Sequence, residues 1–160
     1  MSLFQRLLSA IKDFFKEIWG KLSDEEKEKI IKLIANSFIP FIKRFYQECK
    51  KKDTTQENTQ NNELSLATII NETTNKSHGL TPLKNSLTLQ LNTIQLSSPF
   101  QAKQTKEEKF KEAIMQEVTS AKTINEISEV VGQPKKNETE EEFVDRSVKN
   151  IVTYLKNKFN

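Results

Sequence analysis

The 160-residue chain contains one cysteine and one histidine. Cys49 alone cannot close an internal disulfide, and one thiol with one imidazole cannot complete an ordinary zinc site. The single cysteine is in keeping with a reducing compartment, with the protein cytoplasmic or peripheral to a membrane. His78 stands beside Gly79 in a loop-like stretch, and no motif places a nucleophile next to it. Three glycines are too few for a phosphate-cradling loop, and with four prolines they suit helices better than a many-turned β fold. No enzyme chemistry, cofactor, metal or small-molecule substrate is therefore expected.

Long apolar runs are also lacking. The greasiest window, residues 30–42, is interrupted by Lys32, Asn36, Ser37 and Pro40, so it is too short and too polar to span a bilayer. The N-terminus does not read as a signal peptide, because Arg6, Lys12, Asp13, Lys16 and Glu17 break its apolar positions. Hydrophobic residues make up 35% of the chain and charged residues 29%. That ratio predicts that part of the chain lies outside any core.

What is present is strong helical periodicity. Leu3, Leu7, Ile11, Phe14, Ile18 and Leu22 step by three or four, and Phe4, Leu8, Phe15 and Trp19 widen the same stripe. Gly20 reads as a stop. "SDEE" then offers a capping box, with Ser23 at the N-cap and Glu26 answering it. A second apolar period runs through Ile30, Ile31, Leu33, Ile34, Phe38, Phe41, Ile42 and Phe45, with Pro40 predicted to kink or end that helix near Ile39. The short connection predicts an antiparallel hairpin over residues 1–50.

Residues 51–104 open on "KKDTTQENTQNNE", which has the composition of a linker. "LSLATII" at 64–70 suits a helical turn or a strand. "SLTLQLNTIQL" alternates at Leu87, Leu89 and Leu91 and slips by one before Ile94 and Leu96, which predicts a bulged strand or one arm of a hairpin.

Residues 105–160 carry three capping boxes: Thr105 with Glu108, Thr123 with Glu126, and Thr139 with Glu142. Each precedes an apolar stripe, and Gly132 with Pro134 ends the second. A three-helix unit is predicted. The expected architecture is thus mainly α: a helical hairpin, a polar central region with a short strand, and the three-helix unit.

Charge is unevenly spread. Residues 1–52 hold twelve basic and seven acidic groups, and the remainder hold thirteen and fifteen. The basic surplus coincides with the aromatics: residues 1–46 hold eight of thirteen. The candidate binding surface is accordingly the first helix, with Leu3, Phe4, Leu7, Leu8, Ile11, Phe14, Phe15, Ile18 and Trp19 on its apolar face. Arg6, Lys12 and Lys16 lie beside it. Two helices with stripes this wide cannot cover each other, so the cover is the chain's own C-terminal helices, a protein partner or second copy, or an anionic membrane surface. The expected function is that of a non-enzymatic anchor or structural component, such as part of a virion or secretion particle. The alternative is nucleic-acid binding. "TINEISEVVGQP" resembles the opening of a helix-turn-helix, with Ser128 as its small residue and Lys135 and Lys136 as phosphate contacts, although an acidic helix start follows where a recognition helix should begin.

Overall fold

The computed structural model describes residues 2–55, 64–76, 81–94 and 104–160. Among these residues every regular element is a helix: α1 (Leu3–Lys21), α2 (Asp24–Asn36), α3 (Ile39–Thr55), α4 (Leu66–Lys76), α5 (Thr81–Leu91), α6 (Gln104–Val118), α7 (Ala121–Val131) and α8 (Glu140–Phe159). The protein is mainly α.

α8 is the central element and packs against α2, α3 and α7. Its apolar stripe, Phe143, Val144, Ile151 and Leu155, is buried, and its ends follow the sequence rules. The Thr139 side chain accepts from the Glu142 amide, three acids occupy the first turn, and Lys156 and Lys158 occupy the last. Opposite charges at the two ends offset the helix dipole.

α1 and α2 meet at Leu22 and Ser23, and the predicted capping box of Ser23 and Glu26 is formed. They do not make the expected hairpin. α1 packs on α6, whereas α2 packs on α5 and α8. Periodicity shows which face of a helix is apolar but not which element covers it. Here Phe15 and Trp19 find aromatic partners in Phe110 of α6 and Phe159 of α8. Gly20 does not stop α1. The helix runs through it to Lys21, and the Leu22 amide closes the end on the Trp19 carbonyl.

The break ahead of Pro40 falls at Ser37 and Phe38, so Pro40 lies in the first turn of α3, where its missing N–H costs little. The Ser37 carbonyl left at this break accepts from the Ser86 hydroxyl of α5 at 2.8 Å.

α5 replaces the predicted strand over residues 87–91. Leu83, Leu87 and Leu91 are buried at a spacing of four, while Leu89 is exposed. The alternation of Leu87, Leu89 and Leu91 is therefore half of a helical pattern that begins at Leu83. Leu96 lies outside the described residues. In "LSLATII" the helical reading holds: Leu66, Ala67, Ile69 and Ile70 of α4 are buried. A single apolar cluster draws on α1 to α8, including Leu66, Ile69, Ile70, Leu83, Leu87 and Leu91 from the central region.

The expected cap at Thr123 moves three residues upstream. Ser120 caps α7 and accepts from the Thr123 amide, and Thr123 itself is buried. α6 starts at Gln104, and the side chain of Thr105 lies outside the described residues. Gly132 ends α7 as predicted, at φ 65° and ψ −149°, a combination close to a region that only glycine occupies readily.

Candidate docking surface on the first helix

The stripe of α1 divides into a root and a free end. Phe15, Ile18 and Trp19 are buried. Ile11 and Phe14 are half-buried against the core. Toward the N-terminus the cover ends: Leu8 is 38% exposed, Leu7 60%, Phe4 68% and Leu3 83%. Periodicity placed all nine on one face, and the structure assigns three of them to the interior.

Four aromatic rings hold the root. Phe15 stacks on Phe110 with centroids 5.6 Å apart and planes within 5°. It also stacks on Trp19 at 5.6 Å, and Phe159 meets Phe15 edge-on at 4.9 Å. The Trp19 indole N–H donates to the Asn160 side-chain oxygen at 3.3 Å, which gives the buried indole its polar partner. Sequence reading finds Phe15, Trp19, Phe110 and Phe159 as stripe residues of separate helices, but no local signal pairs residues this far apart.

The free end is uncharged at its cap and basic along its side. Ser2 accepts from the Gln5 amide and the Gln5 side chain answers the Ser2 amide, forming a neutral capping box. No acid stands in the first turn of α1, whereas α2 carries Asp24, Glu25 and Glu26 there and α8 carries Glu140, Glu141 and Glu142. Arg6, Lys12 and Lys16 are exposed, and among the described residues no salt bridge engages them. Two depressions flank the helix. An open groove of about 470 Å³ runs along Leu7, Ile11 and Phe14 of α1 and Lys109 and Ala113 of α6. A smaller cleft of about 210 Å³ lies on the other side, with Phe15 and Phe159 in it and Lys12, Lys16 and Lys158 at its edge. Lys158 is paired with Glu117 at 3.3 Å.

The residues of the nucleic-acid alternative lie at the opposite end of α8. A helix of 20 residues spans about 30 Å, which sets the separation of Lys135 and Lys136 from the α1 root beside Phe159. Both lysines are exposed. The fold brings a third lysine to them, because Lys50 of α3 donates to the Lys136 carbonyl at 3.3 Å. Their loop is pinned. Tyr46 donates to the Glu138 carbonyl at 2.8 Å, and Arg146 binds the Glu138 carboxylate at 2.8 and 2.9 Å and also reaches the carbonyls of Val131 and Gln133. Ser128, the small residue of the helix-turn-helix reading, serves a neighbouring helix instead. Its hydroxyl accepts from the Ala67 amide at 3.0 Å and so caps α4.

Cys49 is half-buried, with its sulfur 3.7 Å from the Gln133 side-chain oxygen, and His78 lies outside the described residues. Among the described residues no three of the His, Cys, Asp and Glu side chains gather as a metal site would require, and no helix is long and apolar enough to cross a membrane. Glu126 accepts from the Tyr154 hydroxyl, which lowers the carboxyl pKa. Burial, followed by this bond, raises the phenol. Both groups face the α7–α8 interface.

No protein-family model, curated protein or solved structure matches the chain.

Proposed function

We propose that the protein is a non-catalytic interaction module that attaches to a larger surface, a membrane or a multi-subunit assembly, through the N-terminal half of α1. One observation carries this reading: the apolar stripe leaves the core at Ile11 and Phe14 and continues through Leu8, Leu7, Phe4 and Leu3 into solvent. Large exposed side chains scattered singly are ordinary, but four on one face of one helical end form a contiguous apolar patch. The root supplies the rigidity a docking element needs, since Phe15, Trp19, Phe110 and Phe159 lock α1 into the bundle.

Fractionation of cells that make the full chain tests the reading. The wild type is expected in the particulate fraction, and the double variant Phe4→Glu with Leu7→Glu is expected to move to the supernatant. A wild-type chain that stays in the supernatant as a monomer would refute attachment through α1.

The approach of Lys50 to the Lys135–Lys136 loop favours a second reading, contact with nucleic acid at the far end of α8. The acids of the first turn of α8 oppose it. A mobility shift with steep salt dependence, lost in Lys135→Glu with Lys136→Glu, is the outcome this reading expects. No shift at low salt removes it.

A further inference from the structure

We infer that the surface met by the free end of α1 is an anionic lipid membrane, which the first turns of the helix enter obliquely. The inference rests on the docking reading above and names its occupant. Its basis is charge complementarity. Residues 2–12 contain Arg6 and Lys12 and no acid, and Lys16 follows one turn later on the same side. The N-terminus of a helix already carries partial positive charge. α2 and α8 offset it with three acids each in the first turn, while α1 leaves it in place and closes its end with the neutral box of Ser2 and Gln5. The first ten residues of α1 therefore carry only positive charge, and although Asp13 and Glu17 follow, and Glu112 of α6 lines the groove beside Leu7, α1 stays net cationic through Lys16, a combination that suits phosphate-bearing headgroups above an acyl layer.

Shape and self-repulsion separate this occupant from the others. At about 100° per residue, Leu3, Phe4, Leu7 and Leu8 cover an arc of roughly 140°. That is a convex, protruding surface, to which a fluid lipid phase conforms without a preformed groove. A second copy meets the same end less well: Arg6 flanks the stripe on one side and Lys12 on the other, so a face-to-face pair is bordered by like charges on both flanks, with no acid from residues 2–12 to attract the partner. The buried root limits the depth of entry. Phe15, Ile18 and Trp19 stay in the bundle, so only the first two to three turns are free. Lys12 and Lys16, at the edge of the cleft beside Phe15, then stand at headgroup level.

Co-sedimentation of the purified full chain with vesicles is the test. Vesicles of phosphatidylcholine with about 30 mol% phosphatidylserine are expected to bind it at least about tenfold more tightly than phosphatidylcholine alone, because each basic residue near such a surface contributes about fivefold. Salt should weaken the binding. Phe4→Glu with Leu7→Glu should abolish it without loss of fold, since both side chains are exposed and an acid in the first turn supports the helix. Arg6→Glu with Lys12→Glu should remove the preference for phosphatidylserine. A Phe4→Trp chain should shift its emission to the blue on the charged vesicles, while the buried Trp19 of the wild type keeps its emission. Wild-type chain that fails to sediment with charged vesicles overturns the inference, as does equal binding by the Phe4 and Leu7 double variant. If purified chain ignores lipid yet its particulate location in cells still needs Phe4 and Leu7, the occupant is a protein: the docking reading stands and the lipid inference falls. A doubled mass in solution that the same double variant reverses to monomer identifies a second copy, with the same consequence.

Discussion

Phe110→Ala is expected to destabilise the protein by about 3–5 kcal/mol, the range for deleting a fully buried phenylalanine. For a domain of this size that is a fall in thermal midpoint of roughly 6–20 °C. The side chain has no exposed surface, and its ring lies parallel to Phe15, which in turn contacts Trp19 and Phe159. Removing it opens a cavity under the root of α1 and takes away one face of the stack. Trp19, the only tryptophan, reports the change directly. Its emission should move to the red before the far-ultraviolet helical signal is lost, because the root of α1 loosens ahead of the α7–α8 pair. Leu3→Ala, on the same stripe but at its exposed end, should change stability by no more than about 0.5 kcal/mol. Similar losses at the two positions in urea titrations would contradict the division of α1 into root and free end.

That division shows what is legible in the sequence. The stripe from Leu3 to Leu22, the capping box at Ser23, the N-cap at Thr139 and the stop at Gly132 are local patterns, and all of them are present, although at Thr139 only the half of the expected box in which its hydroxyl accepts from the Glu142 amide is formed. Pairing between helices is a property of distant residues. Nothing local makes α1 choose α6 over α2, because Phe110 and Ile30 are equally apolar and equally periodic. The strand expected over residues 86–96 gives way to α5 as far as Leu91 for a related reason. Leu87, Leu89 and Leu91 satisfy a period of two, Leu83, Leu87 and Leu91 satisfy a period near four, and a short window cannot separate them. Burial of Leu83 decides for the helix. At the candidate surface, periodicity gives the stripe of α1 that holds its four exposed apolar residues, but it carries no information on where along a stripe the cover ends.

Arg146→Ala is the second change expected to be large, and its mechanism is electrostatic. The Glu138 carboxylate is only 7% exposed and takes two hydrogen bonds from the Arg146 guanidinium, at 2.8 and 2.9 Å. These bonds hold its pKa down to about 2 against the opposing effect of burial, and the Lys135 amide adds a third. The guanidinium also lies over the Phe143 ring at 5.3 Å and satisfies the carbonyls of Val131 and Gln133 at the C-terminal end of α7. Alanine at this position leaves a buried carboxylate without its counter-charge, held only by the Lys135 amide, and takes the guanidinium donor from two carbonyls. Loss of one partner of a buried pair costs about 3–5 kcal/mol, and because the Arg146 side chain is 28% exposed, about 2–3 kcal/mol is expected at neutral pH. The sign of the pH dependence follows from the depressed carboxyl. The folded value lies below the ordinary 4.5, so the pair's contribution is complete above about that pH and is lost as pH falls toward about 2. Urea titrations across this window should show the wild type losing stability more steeply than Arg146→Ala. Glu138→Leu combined with Arg146→Met should cost clearly less than the two single changes added together, since the double variant leaves no unpaired buried charge. Strict additivity would mean that Arg146 acts only through the α7 carbonyls. In that case the Lys135–Lys136 loop would owe its position to Tyr46 and Lys50 alone, and the far end of α8 would be a softer surface than the pinned loop the ion pair implies.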